Sequence, residues 1–454
     1  MSKQKPQGNV REAALDVLLK IEKNQAYSNL LLNDTIKKLT VSTKDVPLLT
    51  EIVYGTIQQQ KKIDFYLEAY SKKPLIKLEV WVHLLLRLTV YQLVFLDRIP
   101  DHAAINEAVE IAKRRGHKGI SGMVNGILRS MLRGELPRVD AIENKVERLA
   151  VETSHPEWLL TRWINQYGYT KTEEIAHANL TTPIHSVRVN TTVVSKQEVI
   201  ESLQEDGLEV VESPNLEESL RIERGSIVNT EAFKKGWLSI QDEGSMLVSH
   251  VLAPEPGEIV LDACAAPGGK STHIAELMEN RGDIKSIDIH PHKVKLILNQ
   301  QERLGLSIID GQVFDARQLN DEYKSETFDR ILVDAPCSGL GVIQRKPDLK
   351  WAKRESDIER LSTIQQEIVE SVWPLLKKGG RLVYSTCTID NEENDRVITT
   401  FVNEHEDASF EEGFIDRLPK VMREKTEATP GKIQLFPGEF DTDGFFISSV
   451  MKQM

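Results

Sequence analysis

Residues 261–271 read LDACAAPGGKS, and this stretch decides how the C-terminal half of the chain is interpreted. A short apolar segment ends at an acidic residue, Asp262, and a turn of small residues then opens a helical segment. Glycines in such a turn let the backbone approach a ligand closely, and the free N–H groups of the following helix attract polar or anionic groups. The stretch therefore predicts a ligand-binding turn between a strand and a helix.

Two common nucleotide-binding motifs do not fit this turn. The phosphate-binding loop GxxxxGK[ST] ends as residues 269–271 do, but Cys264 stands where its first glycine is required. The dinucleotide motif GxGxxG also fails, because only Gly268 and Gly269 are present. A Gly-Gly pair can also form a purely structural turn. The residues at the neighbouring strand ends are needed to choose between a structural and a ligand-binding turn.

From about residue 245 onward, short apolar segments alternate with helical ones, which is typical of a parallel sheet covered on both faces. The predicted strands are residues 259–262, 284–288, 312–315, 328–334, 381–385 and 445–450, and the predicted helices are 272–278, 291–304, 358–376 and 392–403. Ligands bind at the carboxyl ends of such strands. We expect five polar side chains to meet there: Asp262, Asp288, Asp315, Asp334 and Cys387.

Two of these aspartates suggest the kind of ligand. Asp288 follows Asp262 by 26 residues, roughly where an acidic residue takes the ribose hydroxyls in nucleotide-binding α/β folds. Asp315 could accept a hydrogen bond from the exocyclic amine of an adenine. Each alone is more often a solvated strand-end aspartate, but together with the glycine turn they indicate an adenosine-bearing ligand. S-adenosylmethionine fits a fold that lacks a triphosphate loop.

The first third of the chain is predicted to be a helical bundle, because apolar residues recur there at helical spacing in one segment after another. The net charge of −12 hides an asymmetry: residues 1–150 carry 24 Lys+Arg against 17 Asp+Glu, whereas the remainder carries 33 against 52. Lys113, Arg114 and Arg115 either complement a helix dipole or contact phosphates. A charge-based nucleic-acid contact is sought first in this third of the chain.

Residues 150–240 mix helix and strand and predict a small α/β module. Strands are expected at 186–190, 208–211 and 220–222. Ser154 with Glu157, and Ser195 with Glu198, each fit a capping box at the start of a helix. No aromatic RNA-recognition signature is visible there, so the residues alone indicate a spacer or a substrate-guiding module.

Composition excludes several classes of protein. No twenty-residue apolar run is present and the N-terminus lacks the apolar core of a signal peptide, so a cytoplasmic location is expected. The cysteines Cys264, Cys337 and Cys387 are too few and too scattered for a disulfide framework or a CxxC zinc site. We expect no metal and no membrane contact.

Two of these cysteines follow further strand ends, in ILVDAPCSGLG (residues 331–341) and RLVYSTCTIDNEEN (residues 381–394). Free cysteines are often small buried hydrophobic residues, which is the alternative interpretation here. Small polar residues flank both Cys337 and Cys387, however, rather than apolar core residues.

The three motifs DACAAPGGK, DAPCSGLG and YSTCT, in this order, resemble those of the RNA 5-methylcytosine methyltransferases. The first third resembles the NusB domain, an RNA-binding helical bundle, in REAALDVLLKI, LLTEIVYGTI, LLLRLTVYQL and SGMVNGILR. Together they make the chain similar to the bacterial small-subunit (16S) ribosomal RNA cytosine-C5 methyltransferases of the Sun/Fmu (RsmB) type. The resemblance extends over essentially the whole chain.

The resemblance implies a multidomain layout. A NusB-like RNA-binding bundle is expected at residues 1–140, a small RNA-recognition-like α/β module at 150–240, and a doubly wound, Rossmann-like class I methyltransferase domain at 241–454. It also implies S-adenosylmethionine as cofactor and small-subunit ribosomal RNA as partner, and we expect a monomer. Two rivals remain: a transfer RNA or DNA cytosine methyltransferase, and a non-catalytic RNA-binding assembly factor.

The resemblance further assigns roles to residues. Cys387 is the expected nucleophile, Cys337 resolves the covalent adduct, and Asp334 contacts the cytosine and the cofactor. Asp288 and Asp315 are expected on the ribose and near the adenine, and Arg345 and Lys346 near the RNA backbone. The cofactor cradle comprises Cys264, as a small residue rather than a reactive thiol, with Ala265, Ala266, Pro267, Gly268, Gly269 and Lys270.

Overall fold

The computed structural model describes residues 9–24, 36, 44–424 and 429–454. The chain forms two compact units. The first comprises Met1–Leu180 with Arg345–Lys353, and the second comprises Thr181–Gln344 with Arg354–Met454. Within the described residues, the first unit is helical and both sheets belong to the second.

The first unit is built from helices, and the first six of them share one apolar core. They are α1 (Val10–Asn24), α2 (Val46–Gln58), α3 (Gln60–Glu68), α4 (Val80–Phe95), α5 (Asp101–Arg115), α6 (Lys118–Arg133), α7 (Lys145–Glu152) and α8 (Glu157–Ala178). The most apolar, α4, buries Arg87, whose guanidinium binds the carboxylate of Asp64 on α3 through two hydrogen bonds. Among the described residues, no helix is both long and apolar enough to cross a membrane.

A segment from the C-terminal half of the sequence completes this unit. The short helix Leu349–Ala352 belongs to residues 345–353. Lys350 is fully buried and its Nζ donates to the carbonyl oxygen of Gln58 at 3.0 Å, while Trp351 Nε1 donates to that of Ile57 at 2.8 Å. Both acceptors lie in the last turn of α2, where carbonyl groups have no partner within the helix. The inserted segment therefore caps α2.

One of the two predicted capping boxes is wrong. Helix α8 begins at Glu157 with Pro156 as its N-cap, and Ser154 lies before it in a left-handed conformation with φ 54°. The Ser154 hydroxyl instead accepts a hydrogen bond from the backbone N–H of Lys61. The second box, Ser195 with Glu198, is confirmed at the start of α9 (Lys196–Glu205).

The small sheet of the second unit has the order β2–β3–β1–β4 and is antiparallel. Its strands are β1 (His185–Val189), β2 (Glu209–Glu212), β3 (Ser219–Arg224) and β4 (Leu238–Ile240), and α9 packs against it. The first three match the predicted strands to within a few residues. Strand β4, which is only three residues long, is not predicted from the sequence.

The large sheet has the order β10–β12–β9–β8–β5–β6–β7, with β11 paired to β12. Its strands are β5 (Ile259–Asp262), β6 (Asp283–Asp288), β7 (Ile309–Val313), β8 (Phe328–Asp334), β9 (Leu376–Thr386), β10 (Ala408–Phe410), β11 (Lys432–Leu435) and β12 (Phe445–Lys452). The main helices between them are α10 (Glu243–Leu252), α11 (Gly269–Leu277), α12 (Pro291–Arg303), α13 (Glu355–Val372) and α14 (Asp395–Glu404). Two apolar clusters are built around this sheet, as expected for a doubly wound fold.

Two expectations for this sheet need correction. The sheet is not wholly parallel, because β12 runs antiparallel to β9 and carries β10 and β11 as antiparallel neighbours. The third strand covers Ile309–Val313 rather than residues 312–315. Asp315 does not end it, because its carboxylate accepts the backbone N–H of Arg317 and caps a 3₁₀ turn.

A buried ion pair joins the small sheet to the large one within the second unit. Arg188 of β1 donates from Nε and Nη2 to the two carboxylate oxygens of Glu276 on α11, each at 2.8 Å. The same guanidinium donates to the carbonyl oxygen of Gly269 at 3.1 Å. Both side chains are almost completely excluded from solvent. Arg188 thus fixes the small sheet to α11, the helix that follows the glycine turn.

We predict that Arg188→Ala lowers the free energy of unfolding by about 3–5 kcal/mol, because it leaves the Glu276 carboxylate buried without its partner. Arg224→Ala on β3 is the control, since its 3.6 Å pair with Glu209 is largely exposed and should contribute no measurable stability. Urea unfolding of both variants measures the difference. Equal losses would contradict this account of the ion pair.

Candidate active site

The glycine turn has the geometry expected of a ligand-binding turn. Gly268 has φ 103° and precedes α11, and its N–H donates to the carbonyl oxygen of Ala265. A side chain at Gly268 would place its Cβ 3.0 Å from the Cα of Ile297, whereas a Cβ at Gly269 would meet no atom within 4 Å. Only glycine therefore satisfies both the conformation and the packing at the first position.

A cavity of about 430 Å³ lies at the carboxyl ends of the strands, beside this turn. The predicted site residues that line it are Cys264, Ala266, Asp288, Asp315, Asp334, Cys337 and Cys387. The last two come from the loops after β8 and β9. A recess of about 540 Å³ near Glu367 and Phe401 contains no thiol and no part of the turn. The smaller cavity is therefore the candidate site.

The two carboxylates predicted to bind a nucleoside lie in the cavity wall. Asp288 accepts the backbone N–H of His290, and its side chain is 10 % exposed. Asp315 is bound by Arg317, with Nη2 2.6 Å from Oδ2, and hydrogen bonds from Arg317 hold the pKa of Asp315 below its usual value. Arg317 was missed by the sequence analysis, although its position two residues after Asp315 is a signal that could have identified it. An adenine amine would share Asp315 with this guanidinium.

The thiols of Cys337 and Cys387 are 3.4 Å apart. The hydrogen bond to Cys387, together with burial, raises the pKa of Cys337 well above its usual value. Either thiol can donate in this contact, and the raised pKa favours Cys337 as the one that keeps its proton. A thiolate at Cys387 gains a donor from this contact.

An ion pair lies next to the thiols. Lys270 Nζ is 2.8 Å from Oδ2 of Asp334, whose Oδ1 accepts the hydroxyl of Ser385 at 2.8 Å. Burial lowers the pKa of Lys270, but the negative charges of Asp334 and Cys387 outweigh burial and raise it above its usual value. Lys270 is thus a fixed cation beside Cys387. Lys270 is predicted from the sequence only as part of the cofactor cradle, and its place next to the thiols is seen only in the structure.

Asp262 lies behind the turn rather than in the cavity wall. It is fully buried, its Oδ2 accepts the Ser271 hydroxyl at 2.6 Å, and its Oδ1 has no hydrogen-bond partner. Burial raises the pKa of Asp262 to about 7. Cys264 is also held as a neutral thiol, because burial and the surrounding carboxylates raise its pKa well above the usual value.

The predicted RNA-binding residues lie in the first unit. Each cation of α5 is paired: Lys113 with Glu110, Arg114 with Glu12, and Arg115 with Glu12 and Asp16. These acidic partners offset the positive charge that motivated the prediction. Arg345 and Lys346 belong to the inserted segment 345–353. RNA contact by these five residues stays a prediction.

A separate cluster resembles a metal site but has a simpler explanation. Glu218, His250 and His273 bring potential ligand atoms within 4.8 Å of one another, and none of them lines the cavity. His250 Nε2 is hydrogen-bonded to Glu218 at 2.5 Å, and burial and the nearby Arg188 keep the pKa of His273 well below its usual value. A buried guanidinium opposes a second cation. The cluster is interpreted as a hydrogen-bonded core group.

Comparison with known proteins identifies the family. The family described as 16S rRNA methyltransferase RsmB/F matches residues 249–451, the NusB family matches residues 8–133, and the ferredoxin-like domain of RsmF/B-like methyltransferases matches residues 155–229. The probable ribosomal RNA small subunit methyltransferase B of Bacillus subtilis is 50% identical over 445 residues, which cover 98% of this chain and 99% of the relative. The chain belongs to the RsmB/F family of 16S rRNA methyltransferases.

More distant relatives agree with this membership. The ribosomal RNA small subunit methyltransferase B of Salmonella enteritidis is 34% identical over 99% of this chain and 100% of the relative. The crystal structure of PH0851 has a TM-score of 0.83 at 30% identity, covering 99% of this chain and all of that one. The structure of NSun6 from Pyrococcus horikoshii with SFG has a TM-score of 0.58 at 25% identity, covering 66% of this chain and 98% of that one.

The family confirms the predicted architecture and cofactor. This RsmB/F member combines a NusB-like bundle, a ferredoxin-like module and a Rossmann-like methyltransferase domain, and it methylates ribosomal RNA with S-adenosylmethionine as donor. The site suits that cofactor. A small-residue turn permits close approach of a ligand, and Asp288 and Asp315 offer acceptors for hydroxyl and amine groups along the same wall.

Substituting Gly268 tests the turn. Gly268→Ala should lower the free energy of unfolding by at least about 1–2 kcal/mol and weaken S-adenosylmethionine binding, because a side chain disfavours φ 103° and its Cβ crowds Ile297. Gly269→Ala, in the first turn of α11 with open space around its Cβ, should leave the stability of the free protein within about 0.5 kcal/mol. Thermal unfolding and calorimetric titration report both effects; similar losses of stability would contradict the assignment.

Asp262 should make stability depend on pH. Because its pKa is raised to about 7 in the folded protein, folding takes up a proton there, and this stabilisation declines as the pH rises from about 4 to about 7. Asp262→Asn should therefore gain stability over the wild type between pH 5 and pH 8, by about 1–3 kcal/mol at the upper end.

Asp329→Asn is the control of opposite sign. Although burial opposes it, the Lys377 ammonium 2.7 Å away holds the pKa of Asp329 below its usual value, so this carboxylate stabilises the fold at neutral pH and loses that effect in acid. Unfolding curves at several pH values should show Asp329→Asn losing stability at pH 8. If both substitutions changed the free energy of unfolding at pH 8 in the same direction, the two pKa shifts would be contradicted.

Proposed function

We propose that this RsmB/F member transfers a methyl group from S-adenosylmethionine to carbon 5 of a cytosine in small-subunit ribosomal RNA, through a covalent bond between Cys387 and carbon 6. The observation that carries the proposal is the pair of thiols 3.4 Å apart, in loops that line the same cavity as the cofactor turn. Two cysteines with only a packing role would not need a fixed cation and a carboxylate next to them, whereas a reactive thiolate would. Lys270 and Asp334 provide both.

Carbon 5 of cytosine is a poor nucleophile, and addition of a thiolate at carbon 6 makes it enamine-like. Cys387 is the proposed nucleophile because the raised pKa of Cys337 favours its thiol form, which can donate to a thiolate at Cys387. The ammonium of Lys270 stabilises negative charge on the Cys387 sulfur. This assignment differs from the DNA cytosine enzymes, in which the cysteine of the fourth strand, here Cys337, attacks.

Asp334 supports the cytosine during this addition. Its carboxylate is fixed on both oxygens, by Lys270 and by Ser385, at the point where β8 ends. A carboxylate held in this way can accept from the cytosine edge, which offers an amino group where uracil offers a carbonyl oxygen. Asp334 therefore stabilises the activated ring and selects cytosine.

The cofactor supplies the methyl group as an electrophile on its sulfonium. Residues 264–270 would hold its methionine end, Asp288 would bind its ribose hydroxyls, and Asp315 with Arg317 would border the adenine. After methyl transfer, a water molecule accepts the proton of carbon 5. The electron pair of that C–H bond restores the double bond between carbons 5 and 6, and the bond between Cys387 and carbon 6 breaks, with Cys387 leaving as a thiolate. Cys337, in hydrogen-bond contact with that sulfur, assists this last step.

The remaining parts of the chain would bind RNA. We assign residues 1–140 to a NusB-like RNA-binding domain, 150–240 to a substrate-guiding module and 241–454 to the methyltransferase domain. Arg345 and Lys346 would contact the RNA backbone. A base in structured RNA must be unstacked to enter the cavity, which costs a few kcal/mol and is cheaper in a single-stranded loop. A monomeric, metal-free enzyme in the cytoplasm completes the proposal.

Cysteine variants incubated with small-subunit ribosomal RNA and S-adenosylmethionine test these roles. Cys337→Ala should accumulate a protein–RNA adduct that survives denaturing electrophoresis, because methylation proceeds but release does not. Cys387→Ala should form no adduct and transfer no methyl group to carbon 5. Cys264→Ala is the control and should form adduct no more than the wild type does. The reverse pattern for Cys337 and Cys387 would overturn the assignment, and methyl transfer by Cys387→Ala would overturn the covalent mechanism.

A further inference from the structure

Residues 392–394, Glu-Glu-Asn, lie between the Cys387 loop and α14. Both cysteines lie in loops just beyond the ends of strands, because β8 ends at Asp334 and β9 ends at Thr386. Hydrogen bonds between strands therefore do not fix the backbone at either thiol. Side chains and contacts between the loops must do so if the two sulfur atoms are to keep their separation.

Glu393 holds the backbone that follows Cys337. Its Oε1 accepts the N–H of Ser338 at 2.8 Å and its Oε2 accepts the Ser338 hydroxyl at 2.5 Å. Gln365 of α13 donates to the same carboxylate at 3.1 Å and to the carbonyl oxygen of Pro336 at 2.9 Å. Glu393 and Gln365 thus bind the residues on both sides of Cys337.

Asn394 holds the backbone around Cys387 in the same way. Its Oδ1 accepts the hydroxyl of Thr386 at 2.5 Å, and its Nδ2 donates to the carbonyl oxygen of Thr388 at 3.0 Å. The second donor of the amide binds Oε1 of Gln434 on β11 at 2.9 Å, so the orientation of the amide is fixed. The residues before and after the nucleophile are both bound to one side chain.

The two halves of this network meet at the residues that follow the two cysteines. The hydroxyls of Ser338 and Thr388 are 2.9 Å apart, and the N–H of Gly341 donates to the carbonyl oxygen of Cys387 at 3.0 Å. Glu393 and Asn394 are fully buried. Burial raises the pKa of Glu393 to about 7, against the hydrogen bonds from Ser338. Burying a carboxylate is unfavourable, and a hydrophobic residue would be the cheaper choice if only packing were needed.

We propose that Glu393 and Asn394 are positioning residues that act on different steps of the reaction: Glu393 orients Cys337 for release of the adduct, and Asn394 orients Cys387 for attack. This inference rests on the proposed function for the roles of the two thiols. Neither residue lines the cavity. Each acts through the neighbours of a cysteine.

The test measures adduct formation and adduct release separately, in single-turnover reactions of the full chain with small-subunit ribosomal RNA and S-adenosylmethionine. Glu393→Ala should slow release about tenfold, which corresponds to about 1.4 kcal/mol, and accumulate adduct as Cys337→Ala does. Asn394→Ala should slow formation about tenfold and accumulate none. Glu393→Gln should recover most of the release rate, because its amide oxygen still accepts the Ser338 N–H and the hydroxyl can reverse its bond.

Two further variants guard against loss of folding. Glu404→Ala removes an exposed carboxylate at the end of α14 and should match the wild type in both steps. Ser338→Ala keeps the backbone N–H and removes only the hydroxyl link to Glu393 and Thr388, so it should slow release less than Glu393→Ala. Because release is followed after adduct has formed, only folded, active molecules contribute to that rate.

Equal slowing of both steps in Glu393→Ala and Asn394→Ala, or no slowing in either, would overturn the proposal. Failure of the proposed function would be seen differently, since Cys337→Ala would then trap no adduct and Cys387→Ala would remain active. If those two cysteine variants behave as expected while Glu393→Ala leaves release unchanged, the mechanism stands and the positioning role falls.

Discussion

The ion pair between Lys270 and Asp334 joins two structures that the sequence separates by 64 residues. Lys270 belongs to the first turn of α11, directly after the glycine turn, and Asp334 is the last residue of β8. The geometry is a consequence of the sheet: β5 and β8 are parallel neighbours, so the loops after both strands emerge at the same edge. The pair places the glycine turn against the strand that leads to Cys337.

The same arrangement gives the site its charge pattern. Four aspartates lie at or near this edge, and their repulsion would oppose a thiolate in the same cavity. The Lys270 ammonium is the compensating charge, and the proton on Cys337 is the compensating donor. The surrounding groups raise the pKa of both Cys264 and Cys337, so they disfavour a thiolate at either of these cysteines.

Local sequence signals predicted much of this fold. The bounds of β5 and β8 were predicted without error, and Ser195 was identified as a cap, because each depends on a few neighbouring residues. The predictions were wrong where a competing local interaction or a partner distant in sequence determined the structure. Asp315 caps its own turn instead of extending β7, Ser154 binds the backbone of α3, and β12 turns antiparallel through its pairing with β9. Composition does not encode that pairing.

The same distinction holds for the site. Convergence of Asp334, Cys337 and Cys387 could be predicted because parallel strands end together. The pairing of Arg114 and Arg115 with acidic groups could not, since Glu12 and Asp16 are about a hundred residues away from them in sequence. Nor could the role of Glu393, which contacts Ser338 across 55 residues. Burial likewise removed Asp262 from the cavity wall, although its position in the motif suggested a ligand contact.

The segment 345–353 has a consequence for dividing this protein into parts. The chain leaves the second unit after Gln344, supplies Lys350 and Trp351 to the last turn of α2, and returns at Arg354. No single cut in the backbone therefore releases either unit intact. A fragment ending near residue 180 would lack the two side chains that cap α2. A fragment beginning there would carry Lys350 and Trp351 without the carbonyl groups of α2 that they bind. The two units are therefore interleaved in sequence and are not consecutive modules joined by one linker.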